Sequence, residues 1–251
     1  MLGGVALYVG TSGFDYPEWR APRDNPGEPH FYPPGVARSR FLAHYSGTFT
    51  ACEINATFYR LESPATVERW AAAVPDAFRF ATKAHRRLTH GRQISLDGPR
   101  ARFLERFFAS VALLRERLGT ILFQFPPSRE HDGSAFSQLL EALPRSIPCA
   151  FEFRHASWDN AEVRALAARA GGTVCVSDMT GEVPKSLPPG RIAYVRLRHD
   201  KYSRDSRSRW RDLLCAEATT RDVYAFAKHE GVATGDEYAG VGLAQWLVNN
   251  G

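Results

Sequence analysis

The stretch CEINATFYR (residues 52–60) has the apolar composition of a buried β-strand but carries a carboxylate and an amide near its centre. Successive side chains of a strand point to opposite faces, so Glu53, Asn55 and Thr57 are predicted to share one face. In a barrel surrounded by helices, one strand face meets the helices and the other fills the interior. We therefore expect the polar face to point inward near the carboxyl end of the strand, where barrels of this kind place their sites.

Seven further runs along the chain are short and rich in β-branched or aromatic residues, and turn residues bound most of them. Together with the strand around Glu53 they are VALYVG (5–10), FTACEIN (49–55), FRFATK (78–83), TILFQF (120–125), CAFEFR (149–154), TVCVSD (173–178), IAYVRL (192–197) and DVYAFA (222–227). Helical patterns separate most of these strands, which predicts an α/β fold and a single (β/α)8 TIM barrel over residues 1–251. An open doubly wound sheet is the alternative, disfavoured by the eight strands and the lack of a glycine-rich phosphate loop.

Helix signals support the alternation. SPATVERWAAAV (63–74) begins with Ser63 as N-cap and a proline at the first helical position. RARFLERFFASVALLRERLG (100–119) has apolar residues three to four apart, and Gly119 is predicted to end that helix. Similar patterns occur at 157–172 and 240–250. The proline-rich segment 178–191 predicts a missing or short helix after strand six, and a long loop follows strand one.

Composition narrows the class of protein. Of the 251 residues, 44% are hydrophobic and 24% are charged, as in ordinary globular proteins, and no apolar run approaches the roughly 20 residues of a membrane span. The first ten residues lack the basic flank and cleavage site of a secretory signal. The four cysteines show no CxxC spacing, which favours reduced thiols. We expect a cytoplasmic protein without a membrane partner, and its net charge of +5 permits an anionic one.

Ionisable side chains recur at the predicted strand ends. In AFEFRH (150–155), Phe151 and Phe153 are predicted to face helices while Glu152 and Arg154 face inward. The other strands end in Lys83, Gln124, Asp178, Arg196, Arg198 and Lys228. A buried charge is costly unless it is paired or used. One such residue alone would indicate a structural salt bridge, but the whole set predicts a functional site.

Catalytic candidates within the set are Glu53, Glu152 and Lys83. The two glutamates are predicted to act as general acid and base or as nucleophile, and their separation decides between retaining and inverting glycoside chemistry. Lys83 is interpreted as a charge partner, with Schiff-base chemistry as the alternative if it is desolvated. Predicted ligand-binding residues are Ser12, Tyr16, Asn55, Gln124, Arg154, Asp178 and Arg196. The forks of Arg154, Arg196 and Arg198 suit carboxylate or phosphate.

A metal site from Glu53, Glu152, Asp178, His155 and His199 is disfavoured, because cations interleave with these acids and no HExxH spacing occurs. We expect neither a metal nor a cofactor.

The loop after strand one offers glycines and aromatic residues. Gly10, Ser12 and Gly13 are predicted to let the backbone approach a ligand closely. Aromatic residues of this loop and its continuation form either a stacking wall or anchors to the barrel rim: Tyr16, Trp19, Phe31 and Tyr32. Anchoring is favoured for the last two. Thr89 and His90, in RRLTHGR (86–92), are weaker candidates.

Several ordered blocks of this sequence resemble the signature of a known family. They are YVGTSGFDYPEW (8–19), FYP (31–33), EINATFYRL (53–61), FRFATKAHRRLTH (78–90), LFQFPPS (122–128), FEFRHASW (151–158) and YVRLRH (194–199). Together they resemble the YecE-like family, also known as domain of unknown function 72, over nearly the whole chain. The resemblance implies a TIM barrel and leaves the activity open.

By that resemblance, His155 and Tyr202 join the predicted binding residues, Tyr202 as an aromatic residue of the loop after strand seven. The motif positions also include Thr11, Ser12, Gly13, Tyr16, Trp19, Glu53, Asn55, Thr57, Tyr59, Lys83, Gln124, Glu152, Arg154, Trp158 and Arg196. The sequence departs from the family pattern twice. Phe14 stands where a tryptophan is usual, and strand eight runs into Lys228 and His229 instead of an Asn-rich turn.

Two functions follow from these observations. The favoured hypothesis is an enzyme that acts on a small or flipped-out anionic substrate, phosphate-, sugar- or nucleotide-like, at the carboxyl-terminal mouth of the barrel. The alternative is a nucleic-acid-binding protein that uses the basic, aromatic rim.

Overall fold

Parallel β-strands form a closed barrel in the computed structural model, which describes residues 5–20, 30–91, 98–228 and 234–251. The strands are β1 (Leu7–Thr11), β2 (Ala51–Ile54), β3 (Arg79–Lys83), β4 (Leu118–Phe125), β5 (Cys149–Phe153), β6 (Thr173–Val174), β7 (Val176–Asp178), β8 (Ile192–Leu197) and β9 (Asp222–Ala227). His229 and Arg92 lie outside the described residues.

Two seams close the barrel. Strands pair in the orders β1-β9-β8-β7 and β2-β3-β4-β5-β6. At the first seam, Ser12 pairs with Glu53, and the Gly13 N–H donates to the Glu53 carbonyl at 2.8 Å. At the second, the Cys175 N–H donates to the Phe151 carbonyl at 2.8 Å. The eight predicted strand positions are thus all occupied, but the sixth strand is interrupted at Cys175, so β6 pairs with β5 and β7 with β8.

Helices alternate with the strands. They are α1 (Phe41–Ser46), α2 (Ala56–Tyr59), α3 (Pro64–Ala72), α4 (Arg86–Thr89), α5 (Gly98–Val111), α6 (Gly133–Ala142), α7 (Ala161–Arg169), α8 (Arg204–Glu217) and α9 (Gly240–Asn250). Short 3-10 turns occur at Pro17–Trp19, Arg38–Arg40, Ala112–Arg117 and Ala156–Trp158. The predicted cap is confirmed, since the Ser63 hydroxyl accepts from the Thr66 N–H. The described chain has no helix between β7 and β8, as its prolines predict.

The alternation of side chains separates two kinds of core. Cys52 and Ile54 pack outward in one cluster with Val67 and Ala71 of α3. A second group fills the barrel interior: Ala51, Ala81, Leu122, Ala150, Cys175, Ile192, Tyr194, Tyr224 and Phe226. The polar residues of the site follow this apolar layer by two residues on β2, β3, β4, β5 and β8. They therefore form the next interior layer, toward the carboxyl ends of the strands.

Two local predictions are wrong. Gly119 does not end a helix: α5 ends at Val111, a 3-10 turn follows, and Gly119 lies inside β4, where a Cβ atom would lie 2.5 Å from the Tyr224 hydroxyl. Thr57 does not continue the inward strand face, because β2 ends at Ile54 and the chain turns into α2. Its hydroxyl donates to the Lys83 carbonyl at 2.7 Å, which ties α2 to the end of β3.

None of the helices in the described part of the chain has the length and apolar character that a membrane crossing requires.

Candidate functional site at the mouth of the barrel

A buried ion network crosses the barrel interior. Arg196 on β8 donates from Nη1 to Glu152 Oε2 at 2.7 Å and from Nη2 to Glu53 Oε1 at 2.9 Å. The Tyr194 hydroxyl donates to the other Glu53 oxygen at 2.7 Å. Arg196, Glu53 and Glu152 are each at most 3% exposed. We call these three residues with Tyr194 and Gln124 the charged floor.

Glu152 is the most heavily bonded carboxylate of the charged floor. Besides Arg196, it accepts from Gln124 Nε2 at 2.8 Å and from Arg154 Nε at 3.1 Å. Burial raises the pKa of Glu152, but Arg196, Gln124 and Arg154 outweigh burial and lower that pKa to about 2. Glu152 therefore stays ionised at neutral pH. As a carboxylate of low basicity, it is poorly suited to general acid or base catalysis.

A cavity of about 570 Å³ opens at the mouth of the barrel. It is lined by Ser12, Tyr16, Asn55, Ala56, Phe58, Tyr59, Lys83, His90, Gln124, Arg154, Arg196, Arg198 and Lys228. No carboxylate is among these described lining residues, because the two glutamates lie beneath, bonded to Arg196. We call Lys83, Arg154, Arg198 and Lys228 the cationic wall.

Lys83 differs from the rest of the cationic wall by its burial. Its side chain leaves the end of β3, and its Nζ lies 4.3 Å from the centre of the Phe58 ring. Within the described ranges, Lys83 forms no ion pair with a carboxylate. Burial lowers the pKa of Lys83 to about 8, with Glu53 opposing the shift and Arg196 adding to it. The sequence analysis made Schiff-base chemistry at Lys83 depend on desolvation, and Lys83 is desolvated here.

The other members of the cationic wall are more open to the cavity. The Lys228 ammonium bonds Asp200 at 2.8 Å, and Arg154 is paired with Glu152. Burial, Arg196 and Arg154 lower the pKa of Arg198. In the described part of the chain, no carboxylate pairs with Arg198.

Two ring side chains stand at the edge of the cavity. Tyr59 is exposed over 67% of its surface, which offers a ring face to a ligand. His90 follows α4, and partial burial together with Lys83 and Arg154 lowers its pKa. His90 is therefore neutral at pH 7 and adds no positive charge.

A smaller hollow of about 420 Å³ adjoins the cavity. It is lined by Pro127, Glu152, Phe153, Arg154, Ser177, Met179 and Arg198. Arg154 and Arg198 thus line both spaces and are accessible from either.

Three predicted binding residues are not brought to the cavity. His155 caps the turn Ala156–Trp158, its Nδ1 accepting from the Ser157 N–H at 3.2 Å. Asp178 is buried and accepts from Trp210 Nε1 at 3.0 Å and from the Gly181 N–H at 2.9 Å. Tyr202 is buried beside it, and burial and Asp178 raise the pKa of Tyr202. Asp178 and Tyr202 therefore hold the segment after β7 to α8.

The loop after β1 is mainly an anchor. Trp19, Phe31 and Tyr32 are buried against one another, whereas Tyr16 lines the cavity and donates to the Ser12 carbonyl. The glycines of this loop allow close contacts within the chain. A Cβ atom on Gly10 would lie 1.8 Å from the Ala51 carbonyl oxygen, so this glycine permits β1 to approach β2.

The other loop glycine, Gly13, has φ +98° and lies against the Tyr16 ring. Gly10 and Gly13 thus allow close contacts within the chain, and the approach of this backbone to a ligand stays a prediction.

Among residues 5–20, 30–91, 98–228 and 234–251, no group of three or more His, Cys, Asp or Glu side chains is placed to hold a metal ion.

Comparison with known proteins assigns the family. Residues 8–239 match a family model described as protein of unknown function DUF72. The chain belongs to the DUF72 family. It is also 34% identical over 133 residues to the UPF0759 protein YunF of Bacillus subtilis, a match that covers 51% of this chain and 47% of YunF. This DUF72 chain therefore spans about half the length of that curated relative.

Solved structures confirm the fold of this DUF72 protein. A DUF72 family protein of Thermotoga maritima superposes with a TM-score of 0.74 at 23% identity over 96% of each chain. A DUF72 family protein of Enterococcus faecalis gives 0.72 at 16% identity over 98% of each chain. D-psicose 3-epimerase, solved in the presence of D-fructose, gives 0.51 at 14% identity over 85% of each chain. These similarities establish a TIM-barrel-like fold for this chain and do not assign an activity to it.

Phe58 was not singled out by the sequence, and several other lining residues of the DUF72 site were given only a general place in it: Arg198 and Lys228 as strand-end cations, Tyr59 as a motif position and His90 as a weaker candidate. Arg198 continues the inward alternation of β8 by one more step, so the period of two was sufficient to include it. Phe58 and Tyr59 reach the cavity only because α2 begins at Ala56, and the composition of CEINATFYR predicts a continuing strand instead. His90 and Lys228 follow α4 and β9, where loop geometry decides their direction.

Proposed function

We propose that this DUF72 protein is an enzyme that acts on a small anionic substrate bound at the mouth of the barrel. The observation that carries the proposal is an imbalance of charge around the cavity. Five cations line it, namely the cationic wall and Arg196. The carboxylates paired with them are three, Glu53, Glu152 and Asp200. An excess of two positive charges is left for a ligand.

The cationic wall is proposed to bind the anion. Arg198 has no carboxylate partner in the described chain, and Arg154 keeps part of its fork free, since only its Nε is bonded to Glu152. Guanidinium forks suit the paired oxygens of carboxylate or phosphate. The cavity volume of about 570 Å³ falls in the range of small-molecule sites.

Lys83 is proposed as the acid–base group. Its pKa of about 8 allows proton exchange near neutral pH, and it lines the cavity directly. The sequence predicted this role for Glu53 and Glu152, and the geometry does not support it. Glu53 is fully buried beneath the cavity, and Glu152 is held ionised by Arg196. Both glutamates are instead proposed to orient Arg196 and to influence the charge of Lys83.

Binding of inorganic phosphate, measured by titration calorimetry, tests the anion site. Replacing Arg198 by Gln is expected to weaken phosphate binding about tenfold or more, since a charge-assisted hydrogen bond contributes about 1.5–3 kcal/mol. The control is Arg164→Gln, which alters an arginine of α7 that pairs with Asp159 and does not line the cavity. Equal phosphate affinity in wild type and Arg198→Gln would contradict the proposal.

Turnover requires a separate measurement. A panel of phosphorylated small molecules, followed by ³¹P and ¹H NMR, is expected to contain a compound that the wild type converts and Lys83→Met does not. The same Arg164→Gln variant should convert it at the wild-type rate. Conversion by Lys83→Met at an undiminished rate would exclude Lys83 as the acid–base group.

Nucleic-acid binding, the alternative from the sequence, makes a different prediction. The affinity for a single-stranded oligonucleotide would fall steeply with salt, because bound counterions are released from the phosphate backbone. The small-substrate proposal predicts weak oligonucleotide binding that does not compete with inorganic phosphate. Tight, salt-dependent binding abolished by Arg198→Gln would favour the alternative.

A further inference from the structure

We propose that Lys83 forms an imine with the carbonyl carbon of a small phosphorylated aldehyde or ketone whose phosphate lies against Arg154 and Arg198. The inference rests on the anion-binding function proposed above, names the class of its substrate and replaces the acid–base role of Lys83 by a covalent one. Lys83 and the two arginines line the same cavity, so one short molecule can contact all three. Lys83 extends from the end of a barrel strand, which holds its backbone in place.

Lys83 is distinguished from the other three lysines of the chain. Lys201 and Lys228 are paired with Asp236 and Asp200, at 3.0 and 2.8 Å, and an ion pair holds the proton on an ammonium. Lys185 is exposed to solvent. Lys83 alone among the four is buried, has no carboxylate partner in the described structure and faces a cavity.

The charged groups around Lys83 act in both directions. Glu53 on β2 and Glu152 on β5 favour the ammonium, whereas Arg196 on β8 and Arg154 after β5 favour the neutral amine. His90, after α4, also lines the cavity. Burial is the largest influence and lowers the pKa of Lys83 to about 8, so a usable fraction of free amine is present near neutral pH.

Imine formation needs no partner beyond the carbonyl compound. The neutral Nζ attacks the carbonyl carbon, and a carbon–nitrogen bond forms as the carbon–oxygen double bond opens. The oxygen takes up two protons, initially those of the amine, and leaves as water, which gives a neutral imine. Protonation of the imine nitrogen gives the iminium, an electron-withdrawing group beside the carbon to be transformed.

We expect the anionic group of the substrate to be a phosphate and not a carboxylate, because the charge of a phosphate better matches the positive charge of the cavity. When Lys83 carries its proton, as the ammonium or later as the iminium, the cations of the cavity exceed their paired carboxylates by two. A phosphate monoester carries about −1.5 to −2 at neutral pH, which matches that excess, whereas a carboxylate carries a single charge. Arg154 and Arg198 also line the adjoining hollow, so the phosphate can be approached by both arginines.

Borohydride trapping tests the inference. The wild type is incubated with glyceraldehyde 3-phosphate, sodium borohydride is added, and the intact mass and the modified peptide are measured. Hydride reduction of the iminium leaves a secondary amine, so the added mass equals that of glyceraldehyde 3-phosphate less one oxygen atom. The adduct is expected on Lys83, with unphosphorylated glyceraldehyde labelling it about tenfold less, because it lacks the charge-assisted bonds.

Variants separate Lys83 from general amine reactivity. Lys83→Arg keeps the charge but has no nucleophilic amine, and it should give no adduct. Lys185→Arg is the control, because Lys185 is exposed and does not line the cavity, and labelling of Lys83 should persist in it. Circular dichroism verifies that both variants are folded. If Lys83→Arg fails to fold, the wild type still gives a test, because labelling should rise with pH through about 8 and fall when inorganic phosphate competes.

The outcomes distinguish the inference from the proposed function. Phosphate binding without an adduct on Lys83 overturns the imine and leaves the anion-binding enzyme standing. An adduct on Lys83 that forms equally with unphosphorylated glyceraldehyde overturns the assigned substrate class. Equal labelling of Lys185, Lys201 and Lys83 shows unselective chemistry and also overturns the inference. Absence of both phosphate binding and adduct contradicts the proposed function itself.

Discussion

The charged floor and the cationic wall both contain arginine, but its surroundings differ: it is paired with carboxylates in the floor and largely open to the cavity in the wall. In the charged floor, Arg196 bonds Glu53 and Glu152 with both terminal nitrogens, and all three residues are buried. In the cationic wall, Lys83 and Arg198 have no carboxylate partner among the described residues and face an open cavity. A buried pair stabilises the fold only while both partners remain, whereas an unpaired cation at a cavity is available to a ligand.

Replacing Arg196 by Met is the strongest test of this contrast. It leaves two buried carboxylates without their shared cation, so the free energy of unfolding is expected to fall by about 3–5 kcal/mol. Urea unfolding followed by circular dichroism measures the loss. Arg198→Met is the matched control from the cationic wall and should change the free energy by less than about 1 kcal/mol. Equal losses in the two variants would show that the floor and the wall do not differ in this way.

The pH dependence of stability gives the next largest effect. The pKa of Glu152 is lowered from 4.5 to about 2 in the folded protein, so its contribution is fully present above about pH 4.5. It is lost as the pH falls from there toward 2, and the difference corresponds to about 3 kcal/mol. Urea unfolding at several pH values should therefore show a steeper acid decline for wild type than for Glu152→Gln. Parallel declines would assign the acid sensitivity to other groups.

Of these three changes, replacing Lys83 by Met should have the smallest effect on stability, and it should raise the free energy of unfolding instead of lowering it. Burial of an ammonium without a carboxylate partner costs free energy, so an apolar side chain of similar length is expected to stabilise the fold by about 1 kcal/mol at pH 7. The gain should shrink as the pH rises from about 8 toward 10.5, because the wild-type amine then loses its proton in both states.

Lys228→Met is the control for this substitution, since it breaks the solvent-exposed ion pair with Asp200 and should destabilise the fold only slightly. Thermal unfolding of both variants at pH 7 shows whether Lys83→Met stabilises the fold and Lys228→Met destabilises it. A marked destabilisation by Lys83→Met would mean that Lys83 supports the fold as the charged floor does.

Most of the charged floor, and Lys83 of the cationic wall, could be predicted from the sequence because the alternation of side chains along a strand is a local property. Glu53, Lys83, Gln124, Glu152 and Arg196 each stand two residues beyond an apolar residue of the interior or at the end of a strand, and a period of two predicts their direction. The ion pairs that these residues form could not be predicted from the sequence. Arg196 on β8 reaches β2 and β5, neither of which pairs with β8, and this depends on the register and on closure at Ser12 and Glu53.

Residues beyond the strand ends were predicted less well. His155 and Tyr202 lie beyond strand ends, where turns direct His155 to a cap and Tyr202 to Asp178. Asp178 itself is the last residue of β7, and it faces Trp210 of α8 because the preceding Ser177 faces the hollow beside the cavity. Phe58 and Tyr59 enter the cavity because β2 stops at Ile54. A turn changes the direction of a side chain within one or two residues, and the period of a strand carries no information about where that happens.

The sequence by itself determined the eight strand positions, the helices between most of them and the absence of a helix after β7, because these follow from hydrophobic period, caps and prolines. Only the tertiary structure decided which charges neutralise one another. Pairing and burial depend on strands far apart in the chain, and burial sets the strength of every electrostatic interaction. For that reason Glu152 is held ionised beneath the cavity while Lys83 is left with a labile proton at its edge.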